Sequence, residues 1–153
     1  MTRTTALAGP MLAMVPLVGF LAGCGTQDST ASGLEAVPGA MSSYPGSIAI
    51  GGHGTRKSAH TLWSTNPAMI LGTFCATASQ PEVARWFAFR LSRDSWKTVP
   101  NPVGTTDHDV AATEQWNRGK RAFTLELMTS AYVDRLSSAQ RLRCSSGYRV
   151  LVQ

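Results

Sequence analysis

Residues 79–93 read SQPEVARWFAFRLSR, and this stretch decides the fold. Ser79, followed three positions later by Glu82, makes a capping box. The hydroxyl accepts from the Glu82 N–H while the carboxylate reaches back to the Ser79 N–H. Pro81 is tolerated in a first turn, where a missing N–H breaks no intrahelical bond. The spacing predicts a helix over 80–93 with Val83, Phe87 and Leu91 on one stripe, widened by Trp86 and Phe89. Arg85, Arg90 and Arg93 fall toward its margins and exposed side, and basic residues in the last turns complement the negative end of the helix dipole. An aromatic row at helical spacing reads as core before it reads as a ligand-stacking platform.

Strand signals flank this helix. Residues 69–78 (MILGTFCATA) alternate so that Ile70, Phe74, Ala76 and Ala78 share a face. After the helix, residues 96–99 form a short strand, stopped by Pro100-Asn101-Pro102. Residues 113–116 and 120–129 then read as two strands joined by a turn at Asn117-Arg118-Gly119. In the second of these, Phe123, Leu125 and Leu127 pack while Thr124, Glu126 and Met128 face water. Residues 130–144 are ambiguous: Tyr132, Val133 and Leu136 fit a helix, and Leu142 fits an edge strand. Residues 145–147 turn, and 148–152 close the chain as a last strand. Upstream, Tyr44-Pro45-Gly46 is a turn leading to a short edge strand over 47–50. The expectation is an α+β domain over 44–153, with one main helix on a four- to five-stranded, mostly antiparallel sheet.

The N-terminus is different in kind. Arg3 is the only charged side chain before Asp28, and residues 6–22 are apolar but broken by Gly9-Pro10 and Pro16. A short, interrupted run of this sort fits a cleavable signal rather than a lasting membrane span. It ends at Leu21-Ala22-Gly23-Cys24, which resembles the lipobox of bacterial lipoproteins. That resemblance implies removal of residues 1–23 and a thioether-linked diacylglyceryl group on Cys24. The protein would then sit at the extracytoplasmic face of the cell membrane, with the membrane as its first partner. The competing reading is an uncleaved anchor in which Cys24 is incidental. Residues 24–43 are rich in Gly, Ser, Thr, Ala and Pro without helical or strand period, so they are expected to be a flexible tether.

The chain has 153 residues, 14 basic and 9 acidic, for a formal charge of +5. Loss of Arg3 with the leader lowers this only slightly. Apolar content is that of a globular domain, and the length is too small for two sizeable cores. The basic residues are dispersed, which fits a solvated surface. The closest cluster, Arg118, Lys120 and Arg121, is a candidate patch for an anionic envelope polymer or another envelope protein. Nucleic acid is not an expected partner of an exported chain. With Cys24 assigned to lipid, Cys75 and Cys144 remain as a pair, most simply a disulfide in an oxidising compartment, the rival being two buried free thiols.

No catalytic constellation emerges. Residues 51–58 (GGHGTRKS) approach a phosphate-binding P-loop, but Arg56 stands where the second glycine is needed, so a surface loop is expected. Asp107-His108-Asp109 offers donors that are sequence neighbours, and such neighbours rarely converge on one ion, so neither metal nor cofactor is expected. His53 and His60 accompany no nucleophile motif. The expected function is therefore a non-enzymatic binding module, the alternative being a small hydrolase or wall-modifying enzyme whose residues meet only in the fold.

The soluble part, read as a whole, has a Tyr-Pro-Gly turn and a capped P-E-V-x-x-W-F-x-x-x-L helix. A W-x-R-G-x-R-x-F-T-L hairpin and a Y-R-V-L-V strand follow. This order is similar to that of a loose group of small secreted or lipid-anchored actinobacterial proteins. The resemblance implies one helix laid on a small antiparallel sheet and brings no catalytic residues. Asp94-Ser95-Trp96 stands where that pattern has Gly-Trp, and 130–144 is longer than the pattern needs.

Overall fold

A computed structural model describes residues 31–56, 59, 60, 65, 66 and 68–153. In chain order the elements are α1 (Ala31–Glu35), β1 (Ile48–Ala49), β2 (Gly54–Arg56), β3 (Ala59–His60), β4 (Thr65–Asn66), β5 (Met69–Ala76) and α2 (Gln80–Arg93). They continue with β6 (Lys97–Thr98), β7 (Val110–Arg118), β8 (Arg121–Met128), α3 (Ser130–Asp134), α4 (Ser138–Arg141) and β9 (Ser146–Val152). The class is α+β. One antiparallel sheet runs β1-β5-β9-β8-β7-β6, with β2 also pairing on β5, and β3 with β4 forms a separate pair. The sheet therefore has seven strands, more than the expected four to five. One strand that the sequence did not mark is β2, in a segment expected to be loop. It pairs Gly54 with Leu71 and Arg56 with Met69, and three residues are too few to show a strand period in sequence.

α2 begins and ends where the sequence indicates. The Glu82 carboxylate accepts from the Ser79 N–H at 2.8 Å and from Ser79 Oγ at 2.7 Å. These two bonds, the side chain's first, hold the Glu82 pKa below its usual value. At its start the helix is tied to β8 by Gln80 Nε2 donating to the Met128 carbonyl. It then crosses the sheet toward β6, next to the far end of β7. Val83, Phe87 and Leu91 are fully buried, each contributing about 1.5–3 kcal/mol by leaving water. Phe87 lies against Phe123 of β8 and Tyr148 of β9, with ring centroids 5.6 and 5.5 Å away. Phe89 does not join the stripe; it is 64% exposed beneath the Arg93 guanidinium. It stands two residues, a little over half a turn, from Phe87 and so points away from the sheet.

The tether expected over 24–43 is corrected from Ala31 onward. Leu34 and Ala40 are buried in the same core as Phe87, and Val37 packs against it. Gly39, at φ 84°, passes so close to α2 that an added Cβ would lie 2.9 Å from Asp94 Oδ2 and 3.2 Å from Trp96 Nε1. Tyr44 continues this strap: its N–H donates to the Tyr148 hydroxyl at 2.9 Å, which in turn donates to Ser47 Oγ at 2.8 Å. A single five-residue helix carries too few turns to display periodicity, and the strap's fully buried residues are only Leu34 and Ala40 among those described. The folded body thus starts well before Tyr44. Residues 24–30 of the expected tether lie outside the described residues.

The second face of the sheet is less wet than alternation implies. Glu126 and Met128 are only 7% and 2% exposed. α3 covers the Met128 end: a Cβ placed on Gly147 would touch both Met128 and Tyr132 at 3.3–3.4 Å. Glu126 is instead held by Arg149, whose guanidinium also bonds Asp107 at 2.8 Å. Burial works against the Arg149 charge, but the hydrogen bonds to these two carboxylates outweigh it and raise its pKa. The ambiguous 130–144 segment resolves into α3, capped by Thr129, and α4, capped by Ser137. Cys144 follows α4 and is at disulfide distance from Cys75 of β5, with Cα atoms 5.2 Å apart.

Candidate anion-binding cleft

β7 and β8 form a hairpin in which Arg118 is directly opposite Arg121. The connecting residues are Gly119 and Lys120, one position later than the expected turn. Gly119 takes φ 60°, as the first central residue of a tight two-residue hairpin requires. Arg118 shares its strand face with Trp116, and Arg121 with Phe123, by alternation. Both arginines therefore project on the side of the sheet covered by α2 and the N-terminal strap. Two like charges directly across an antiparallel pair repel.

At this end of the sheet the strap leaves an open cleft of about 430 Å³, lined by Gly33, Ala36, Val37 and Pro38 on one side and by Arg118, Gly119 and Arg121 on the other. Among the described residues none of those lining the cleft is acidic. Arg118 Nη1 is buried and has no hydrogen-bond partner among the described residues. A buried donor left unpaired costs about 1–3 kcal/mol, more when it carries charge, so the site retains an unmet demand for an acceptor. Arginine is the side chain best suited to supply paired donors to a carboxylate or phosphate. A second open cleft across the strap, about 470 Å³, includes both Glu35 and Arg90 and so has no such single-sign lining.

The structure thus brings together two members of the expected basic patch, Arg118 and Arg121. Lys120 is exposed in the turn and does not line the cleft. Sequence reasoning missed the opposite wall, 33–38, because that segment read as tether; Leu34, a lone large aliphatic among small residues, was the available signal. Of the other candidates, the His53 ring packs edge-on against Phe74 at 5.5 Å. His108 is exposed between Asp107, bound to Arg149, and Asp109, bound to Arg135. Hydrogen bonds from the Asp109 N–H and from Arg149 hold the Asp107 pKa below its usual value. Among the described residues no group of three His, Cys, Asp or Glu side chains is placed to hold a metal ion. Gly54–Arg56 of the near P-loop is strand β2. The His60 side chain, Lys57, Ser58 and the lipobox Leu21-Ala22-Gly23-Cys24 lie outside the described residues. Among the described residues no helix is long and apolar enough to cross a membrane.

No protein-family model matches this chain, and neither a curated protein nor a solved structure matches it.

Proposed function

We propose that this chain is a lipid-anchored, extracytoplasmic envelope protein carrying a non-enzymatic binding module for an anionic group. The single observation that carries the binding reading is the Arg118–Arg121 pair, set opposite each other at a cleft whose described lining includes no carboxylate, with Arg118 Nη1 unpartnered among the described residues. Such a site fits a phosphate or carboxylate on an envelope polymer, a partner protein or a lipid. The anchor reading rests on Leu21-Ala22-Gly23-Cys24. Membership of the loose group of small secreted or lipid-anchored actinobacterial proteins belongs to this proposal too.

Two measurements test it. Cells expressing the chain with Cys24→Ser should lose acyl labelling and membrane fractionation; a variant that still labels would sink the anchor. Amide NMR of the full chain in neutral detergent, titrated with inorganic phosphate, should shift residues 33–38 and 118–121, and added salt should weaken the effect. Arg118→Gln with Arg121→Gln should abolish those shifts while Lys120→Gln largely preserves them. An unresponsive wild-type cleft would sink the binding reading.

A further inference from the structure

The cleft and the anchor are close together along the chain. Gly33 forms part of the cleft wall, and only nine peptide units separate it from Cys24. Whatever conformation those units adopt, they span at most about 30 Å. With a tether reaching to Ser43, as the sequence suggests, the limit would be about 60 Å and the body could turn any side to the membrane. Burial of Leu34 and Ala40 in the core removes that freedom by fixing the chain to the body at the edge of the cleft.

We infer that the cleft takes the phosphate of an anionic phospholipid in the same membrane that holds the anchor, so that the domain docks flat on the leaflet through its Arg118–Arg121 end. The inference rests on the lipid-anchor and anion-binding readings above and adds the identity of the ligand. Charge complementarity supports it. The exposed turn residue Lys120, and Lys97 on β6 opposite Asn117, add cations at the same end of the sheet. Apolar Val37 and Pro38 give the cleft wall a surface suited to the headgroup–acyl boundary. An anchored chain meets headgroups at an effective concentration in the millimolar range or above, so a weak individual site suffices to hold the orientation. Anionic leaflets attract basic segments over a distance comparable with the Debye length.

The test uses the lipidated protein purified from membranes, its Cys24 modification verified by mass, in vesicles of phosphatidylcholine alone or with added phosphatidylglycerol. Hydrogen–deuterium exchange is followed at residues 33–38 and 117–122. The expected result is a several-fold slowing of exchange in the anionic vesicles only, lost at high salt and lost in Arg118→Gln/Arg121→Gln. The wild-type comparison decides the matter even if that variant folds poorly. Equal exchange in both vesicle types overturns docking. If free inorganic phosphate nevertheless protects the cleft in neutral vesicles, the anion site survives and the lipid ligand does not. If neither protects, both fall. An unmodified Cys24 overturns the docking and the anchor together.

Discussion

Trp96 Nε1 donates to the carbonyl of Pro38 at 2.8 Å, across a sequence separation of 58 residues. This bond locks the N-terminal strap to the end of α2, just where Gly39 passes against Leu91 and Asp94. It converts a segment with the composition of a linker into a wall of the cleft. Leu34→Ala is therefore expected to cost about 2–5 kcal/mol in denaturant unfolding, and Trp96→Phe about 0.5–1.5 kcal/mol by removing the hydrogen bond to Pro38. A true tether would tolerate Leu34→Ala with an unchanged midpoint.

α2 ends in an unfavourable residue. Ser95 sits at φ 65°, while the Trp96 N–H closes back on the Leu91 carbonyl at 3.0 Å. Glycine is the usual occupant of such a left-handed position after a helix. Ser95→Gly should stabilise by about 0.5–1 kcal/mol, the relief of left-handed strain exceeding the added entropy of the unfolded chain. Gly39→Ala should do the opposite, since its φ and its neighbours both exclude a Cβ. Thermal melts of the two variants should move in opposite directions.

Arg149 carries the polar face of the sheet. Replacing it with Met leaves the nearly buried Glu126 without its cation, and a loss of about 1–3 kcal/mol is expected at neutral pH. Asp107 adds an acid dependence. Its folded pKa lies below the unfolded value near 3.8, so its contribution is present above that value and is lost as pH falls through the lower folded pKa. Asp107→Asn should remove part of the wild-type stability at neutral pH and lessen its fall below about pH 4.

Glu114 behaves in the reverse sense. It lies opposite Leu125 on the face that α2 covers, and burial raises its pKa above 4.5. A raised folded pKa contributes stability below the unfolded value that disappears as pH rises through the folded one. Glu114→Gln should accordingly raise the melting temperature at pH 7 more than at pH 3.5. Equal gains at both values would show that ionisation is not the cause.

The Cys75–Cys144 pair closes a loop with a sequence separation of 69. Opening it, by reductant or by Cys75→Ala with Cys144→Ala, is expected to cost about 2–4 kcal/mol, chiefly through the freed unfolded chain. Alkylation without reductant should leave both residues unmodified in the mass spectrum. A mass shift on either would contradict the bridge.

Much of the architecture was legible in sequence because its signals are local. Ser79 and Glu82 bracket one helical turn, Phe123-Leu125-Leu127 alternate within one strand, and Gly119 marks one hairpin. Each rule acts between residues a few positions apart, so a single chain suffices to read it. The cysteine pairing was reachable by elimination once Cys24 was set aside for lipid. Water exposure of Glu126 and Met128, and membership of Phe89 in the core stripe, were misjudged, because burial is set by elements packed from elsewhere.

By itself, then, the sequence determined the capped helix, the β7–β8 hairpin and the α+β class. Only the tertiary structure decided that Leu34 belongs to the core, that Gly54–Arg56 extends the sheet, and that Arg118 and Arg121 face Val37 and Pro38 across a cleft. The physical reason is length. Three to five residues cannot express a period, and whether they are buried depends on surfaces contributed by strands far along the chain.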